Sequence, residues 1–150
     1  MDYKKLFPIF ETHKELAYLD SAATNQKPEK VIKAIDEYNR KFNASPNRGS
    51  YGISVEATCQ YNQAKGKVAK FIGAKNTEII FVKSSTEGLN LLANSFSYEL
   101  TKEDNILVGI TSHHSNIVPW QEVKRRTGAE LRYIYLDKNG EFDYDDLESK

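Results

Sequence analysis

From Pro28 onward the apolar positions of the chain fall into a rhythm. Val31, Ile32, Ile35, Tyr38 and Phe42 recur at steps that line one face of an α-helix. Pro28 suits the first position of that helix, because its missing N–H would lie unpaired there anyway. A polar, irregular stretch over residues 43–52 follows. Ser54 is then placed to cap a long second helix, whose inward face would carry Ala57, Tyr61, Ala64, Val68 and Phe71 and whose end falls near Gly73.

Beyond Gly73 the pattern shortens. Runs rich in branched or apolar side chains at 78–82, 106–110 and 131–136 read as strands. Segments from about Thr86 and about Ser115 read as helices between them. Strand alternating with helix predicts an α/β fold with an at least partly parallel sheet. Upstream, residues 17–20 read as a short extended segment that leads through the polar residues 21–27 to Pro28. At the other end, Asp143 is placed to cap a helix that has no stop signal before Lys150, so the sequence reads as a fragment. No repeat, low-complexity tract or Pro/Gly/Ser linker marks a boundary inside it, and the chain reads as one continuous piece.

Composition narrows the function classes. In 150 residues, 39% hydrophobic and 11% aromatic side chains suffice for a core of one ordinary domain. The 21 Lys and Arg balance the 21 Asp and Glu, so no net field draws nucleic acid or an anionic membrane. The apolar runs are too short to span a bilayer and no signal-peptide run follows the charged start, which makes the cytoplasm the default location. The single Cys59 rules out an internal disulfide and a Cys-rich metal site. Inside the second helix it is expected to be a small buried hydrophobe rather than a reactive thiol. The adjacent His113 and His114 have no carboxylate or thiol at ligand spacing, and no metal site is expected.

In parallel α/β sheets ligands gather beyond the carboxyl ends of the strands, where loops turn into helices. That rule selects residues 83–86 and 111–115. The first loop, Lys83-Ser84-Ser85-Thr86-Glu87-Gly88, offers hydroxyl groups and free backbone N–H groups at a helix start, a fitting cradle for a phosphate. It equally fits an N-cap at Thr86 preceded by a solvated turn. Walker-type and GxGxxG glycine spacings are absent, which favours a phosphate ester smaller than a nucleotide. The second loop, Thr111-Ser112-His113-His114-Ser115-Asn116, puts an imidazole beside that cradle, where His113 either lies against a planar cofactor or is an ordinary surface histidine.

Four segments in register carry a resemblance. Tyr18-Leu-Asp-Ser-Ala-Ala-Thr-Asn-Gln-Lys-Pro28, Asn47-Arg-Gly49, Ser85-Thr-Glu-Gly-Leu-Asn90 and His113-His-Ser-Asn-Ile-Val-Pro-Trp120 resemble the successive signatures of the Suf-type cysteine desulfurases and selenocysteine lyases of the class V aminotransferase family. The resemblance covers nearly the whole chain. It implies the N-terminal part of the fold-type-I pyridoxal-phosphate-dependent architecture: an N-terminal segment and the first part of the large cofactor-binding domain, in a homodimer with active sites at the subunit interface.

The resemblance also implies roles, position by position. Ser85 and Thr86 would hold the phosphate of pyridoxal 5'-phosphate, with Ser85 standing where the family often has Thr. His113 would stack on the pyridine ring and help move protons. Ala22 and Ala23 would leave room for the substrate, L-cysteine or L-selenocysteine, while Asn47 and Arg48 would reach an active site, that of the partner subunit included. Arg48 also reads as an ordinary surface arginine. The sulfur would pass as a persulfide to an acceptor protein for iron-sulfur cluster or related biosynthesis. Ser112 departs from the acidic residue the family commonly places before the histidines, and Asn47 and Tyr51 stand where Suf-type members often have histidine, which opens the substrate to a related lyase. The Schiff-base lysine, the aspartate that pairs with the pyridine nitrogen and the persulfide-forming cysteine of the family all lie downstream of the matched region, so the fragment alone is expected to be inactive. The competing reading is a small α/β module that holds a phosphorylated metabolite without chemistry.

Overall fold

The computed structural model describes residues 2–148 and divides into two compact units, residues 1–80 and 81–150. The division falls inside the apolar run 79–82, not at a Pro/Gly/Ser linker, so composition carries no sign of it.

The first unit is helical. A 3₁₀ turn, Tyr3–Leu6, and a single-turn helix α1 (Ile9–Thr12) come first. Phe7 and Phe10 meet edge to face at 6.3 Å, and the Lys4 ammonium lies 5.2 Å from the centre of the Phe10 ring. Helix α2 (Glu29–Lys41) starts one residue after Pro28, which serves as its N-cap with an extended ψ of 151°. The periodic stripe is present, yet Val31, Ile32 and Ile35 remain exposed. Its C-terminal end is tied down, where Tyr38 packs edge-on against Phe42 at 5.4 Å and donates its hydroxyl to the Ala44 carbonyl.

Helix α3 (Gly52–Ile72) is closed by Gly73 in the left-handed conformation, as its sequence position predicts. Its other end corrects the expectation. Tyr51 is the N-cap, and Ser54 sits inside the first turn, fully buried, with its hydroxyl donated to the Ser45 carbonyl at 2.9 Å. The inward face also differs: Ala57 and Ala69 are buried, whereas Tyr61, Ala64, Val68 and Phe71 are exposed. Among the described residues α3 packs chiefly on the turn Asn76–Glu78 that follows it. Cys59 is exposed rather than buried. It lies two positions beyond Ala57, and residues two apart point to different sides of a helix.

The expected strand at 78–82 does not form. Residues Asn76–Glu78 make a 3₁₀ turn, in which the Glu78 carboxylate accepts the Lys75 N–H at 2.7 Å, and residues 79–82 are not part of the sheet among the described residues.

The second unit holds the α/β part. Helix α4 (Ser85–Phe96), strand β1 (Asn105–Gly109), helix α5 (His114–Thr127), strand β2 (Glu130–Ile134) and the short helix α6 (Tyr144–Glu148) follow in order. The two strands pair in parallel, Asn105 opposite Glu130 through Gly109 opposite Ile134. β2 ends before the predicted boundary, and Leu136 instead forms an isolated antiparallel bridge with Phe142. Asp143 caps α6, accepting the Asp146 N–H at 3.0 Å, as expected.

The core lies between α5 and the sheet, where Val108, Val123, Ala129 and Leu131 are buried. Helices α4 and α5 pack on one another through Ala93, the Phe96–Trp120 ring pair at 6.5 Å and the Arg126 guanidinium on the Asn94 amide oxygen at 2.9 Å. Glu122 holds Arg125 at 2.7 Å, and that hydrogen bond lowers the Glu122 carboxyl and raises the guanidinium.

Candidate cofactor site

Helix α4 begins with a partly filled set of donors. Ser84 is the N-cap, its hydroxyl accepting the Glu87 N–H at 3.2 Å, while the Glu87 carboxylate folds back onto the Lys83 N–H. This corrects the reading of Thr86 as the cap. The Ser-x-x-Glu spacing from Ser84 to Glu87 is the capping signal, and it outcompetes a cap two residues later. Ser85 and Thr86 thus occupy the first turn, exposed, with their N–H groups and hydroxyls unused among the described residues. Two backbone donors, two hydroxyls and the positive end of a helix dipole suit a phosphate.

The end of β1 leads directly into the second helix start. Ile110 still donates its N–H to the Ile134 carbonyl, and a turn closed by Ser112 N–H on the Gly109 carbonyl brings the chain to His113. Gly109 is required there, because a Cβ on it would come within 2.9 Å of the Phe142 ring. His113 is the N-cap of α5 with φ −61° and ψ 147°, and its Nδ1 accepts the Ser115 N–H at 3.2 Å. The helix therefore starts one residue before Ser115. The His114 ring stands edge-on to that of His113 at 6.0 Å, and both are exposed. Among the described residues no group of three or more His, Cys, Asp or Glu is arranged to hold a metal.

Topology puts these two starts at one end of the unit. α5 leaves the carboxyl end of β1 and returns to the amino end of the parallel β2, while α4 ends where the turn into β1 begins. Both helices then run opposite to the strands, and the contact of Asn94 with Arg126 joins their last turns. Ser85, Thr86 and His113 accordingly share the carboxyl end of the sheet, where such folds bind ligands.

In the first unit, the segment bearing Ala22 and Ala23 is a turn closed by the Ala23 and Thr24 N–H groups on the Asp20 carbonyl. The Tyr18 hydroxyl donates to the carbonyls of Asp20 and Thr24, bracketing the two alanines, which are exposed. Asn47 has a left-handed φ of 59°, a conformation asparagine tolerates better than most residues, and its N–H donates to the Thr58 hydroxyl at 2.9 Å. A Cβ on Gly49 would collide with the Tyr51 ring, so the Asn47-Arg48-Gly49 turn needs its glycine. Asn47, Arg48, Thr58 and Cys59 line an open hollow of about 610 Å³ on this unit. Ala22 and Ala23 do not line it. Sequence reasoning missed two residues at the helix starts, Ser84 and Ser115; the first had a spacing signal, the second had none.

The geometry has counterparts among known proteins. An aminotransferase class-V profile matches residues 17–150. The chain belongs to the class-V aminotransferase family. Within that family it is 43% identical over 152 residues to a probable cysteine desulfurase of Halalkalibacterium halodurans, covering 98% of this chain and 37% of that protein. A probable cysteine desulfurase of Vibrio cholerae is 48% identical over 129 residues, covering 85% of this chain and 32% of the relative. Among solved structures, the apo cysteine desulfurase of Thermococcus onnurineus superimposes with a TM-score of 0.90 at 37% identity, over 99% of this chain and 36% of that one. A cysteine desulfurase from Escherichia coli gives 0.82 at 30% identity, over 98% and 37%. The family fold of the cysteine desulfurases is thus the fold of this chain, which spans little more than a third of the length of these relatives.

Proposed function

We propose that this chain is the N-terminal part of a pyridoxal-phosphate-dependent cysteine desulfurase: an N-terminal segment and the first part of the large cofactor-binding domain of an enzyme that converts L-cysteine to L-alanine and passes the sulfur on as a persulfide. The observation that carries this reading is the open donor set of Ser85 and Thr86 at the same end of the sheet as His113, in a chain of this family. When bound, pyridoxal phosphate supplies the electron sink for the chemistry. The protein's part here is to hold and orient. Ser85 and Thr86 would take the phosphate through N–H and hydroxyl groups, and His113 would lie on the ring and serve in proton movement. Ala22 and Ala23 would leave space for the substrate, and Asn47 and Arg48 would reach an active site across a homodimer interface.

The lysine, the pyridinium-pairing aspartate and the persulfide cysteine belong to the part of the enzyme beyond this chain, and the fragment alone is inactive under this proposal. Suf-type membership, a cytoplasmic location and delivery of sulfur to an acceptor protein for iron-sulfur clusters complete the reading, with selenocysteine as the alternative substrate. The test is to express the complete gene product, add L-cysteine and a reductant, and measure alanine and sulfide. Equal amounts of both support the desulfurase. A protein that binds pyridoxal phosphate but yields neither, with cysteine or selenocysteine, supports a phosphate-binding module instead.

A further inference from the structure

The first turn of α5 is closed by an imidazole, a role usually taken by Ser, Thr, Asp or Asn. His113 Nδ1 accepts the Ser115 backbone N–H at 3.2 Å and lies 2.9 Å from the Ser115 hydroxyl. A backbone N–H only donates, so Nδ1 must present its lone pair to it. In the neutral ring the proton then resides on Nε2. Pro119 adds weight to this cap, since its missing N–H leaves the Ser115 carbonyl without its usual helical donor and the first turn short of one ladder bond.

We propose that Ser115 is a positioning residue that holds neutral His113 as the Nε2–H tautomer, so that the edge of the ring left free offers a hydrogen-bond donor and not a base. The Nε2 edge makes no hydrogen bond among the described residues, and the His114 ring, edge-on at 6.0 Å, does not compete for Nδ1. The Ser115 hydroxyl reinforces the arrangement by donating to the same lone pair. This rests on the proposed desulfurase reading only in its consequence: the neutral ring would stabilise negative charge on cofactor or substrate from Nε2, and the proton-accepting group would be another side chain. The tautomer itself rests on the hydrogen bonds of α5 alone.

The experiment is long-range ¹H–¹⁵N correlation of histidine-labelled complete gene product carrying its cofactor, with His113 assigned by its loss in His113→Gln. The expected neutral ring has a pyridine-type Nδ1 and a protonated Nε2; a protonated Nδ1 overturns the proposal. Ser115→Ala keeps the backbone N–H and removes the hydroxyl, so the tautomer should persist while kcat falls about two- to tenfold, the range for one lost neutral hydrogen bond, with KM for cysteine unchanged. Ser115→Thr should restore kcat. Unchanged kcat in Ser115→Ala would remove the hydroxyl's part in positioning. Because the tautomer is read without turnover, an inactive protein with an Nε2–H ring sinks the desulfurase reading and supports this inference, whereas an active one with an Nδ1–H ring does the reverse.

Discussion

At the start of α4 a serine hydroxyl takes the Glu87 N–H and leaves those of Ser85 and Thr86 open, whereas at the start of α5 an imidazole takes the Ser115 N–H and lies against that serine's hydroxyl. Both helices face the same problem of unpaired N–H groups in the first turn. The difference separates a receptor from a mount. An open start lined by small hydroxyl side chains can accept the oxygens of a phosphate, while a closed start fixes the ring that closes it. Neither property comes from a single residue type, and the second depends on the end of β1, which leads into the start of α5.

The largest effect expected from breaking this division is on turnover. His113→Ala in the complete enzyme should lower alanine formation about a hundredfold or more, as for loss of a preorganised hydrogen-bond donor to developing charge, while cofactor content stays the same. Wild-type turnover in that variant would show that the mount serves only the helix. Next comes the support beneath α5. Val123 is fully buried, and Val123→Ala removes two buried carbons and leaves a cavity, at a cost of about 2 to 3 kcal/mol. A denaturant midpoint lowered at constant m-value would register it. Thr86→Ala should weaken cofactor retention by about 1 to 3 kcal/mol while leaving the fold intact, read as cofactor lost on dialysis. Full retention would show that the open donors of α4 are not the receptor.

The smallest effect concerns the hairpin whose Phe142 ring covers Gly109 just before His113. Asp137 accepts the N–H groups of Glu141 and Asn139 at 3.0 and 2.8 Å, and these bonds hold its carboxyl below the ordinary value of 3.8. A depressed folded pKa contributes stability that is present above the unfolded pKa and is lost as pH falls through the folded one. The Glu141 and Asn139 amide signals should therefore stay constant near neutrality and shift only below about pH 4, a transition absent in Asp137→Asn. A midpoint above the ordinary carboxylate range would contradict the geometry.

Much of this arrangement was legible in the sequence, for reasons particular residues make plain. The α2 stripe from Val31 to Phe42, the Gly73 stop, the strands around Leu107 and Arg132 and the Asp143 cap are local patterns, and each forms the predicted element. The local pattern misleads where the outcome depends on what lies beside a segment. The run 78–82 has strand character but joins no sheet among the described residues, Phe71 has helical spacing but stays exposed, and Cys59 is apolar enough for a core yet sits on the wrong side of α3. Ser54 looked like a cap because it is a serine near a helix start, but burial against the Ser45 carbonyl is what uses its hydroxyl. At the site, the residue types were visible in order, while the sharing of donors between Ser84, Glu87, His113 and Ser115 is a matter of geometry that no spacing rule states.

If the open start of α4 binds the phosphate of pyridoxal phosphate, as proposed, the complete gene product should keep about one molecule of the cofactor per chain through exhaustive dialysis. A protein that folds cooperatively and retains none, even after incubation with the cofactor, would contradict it.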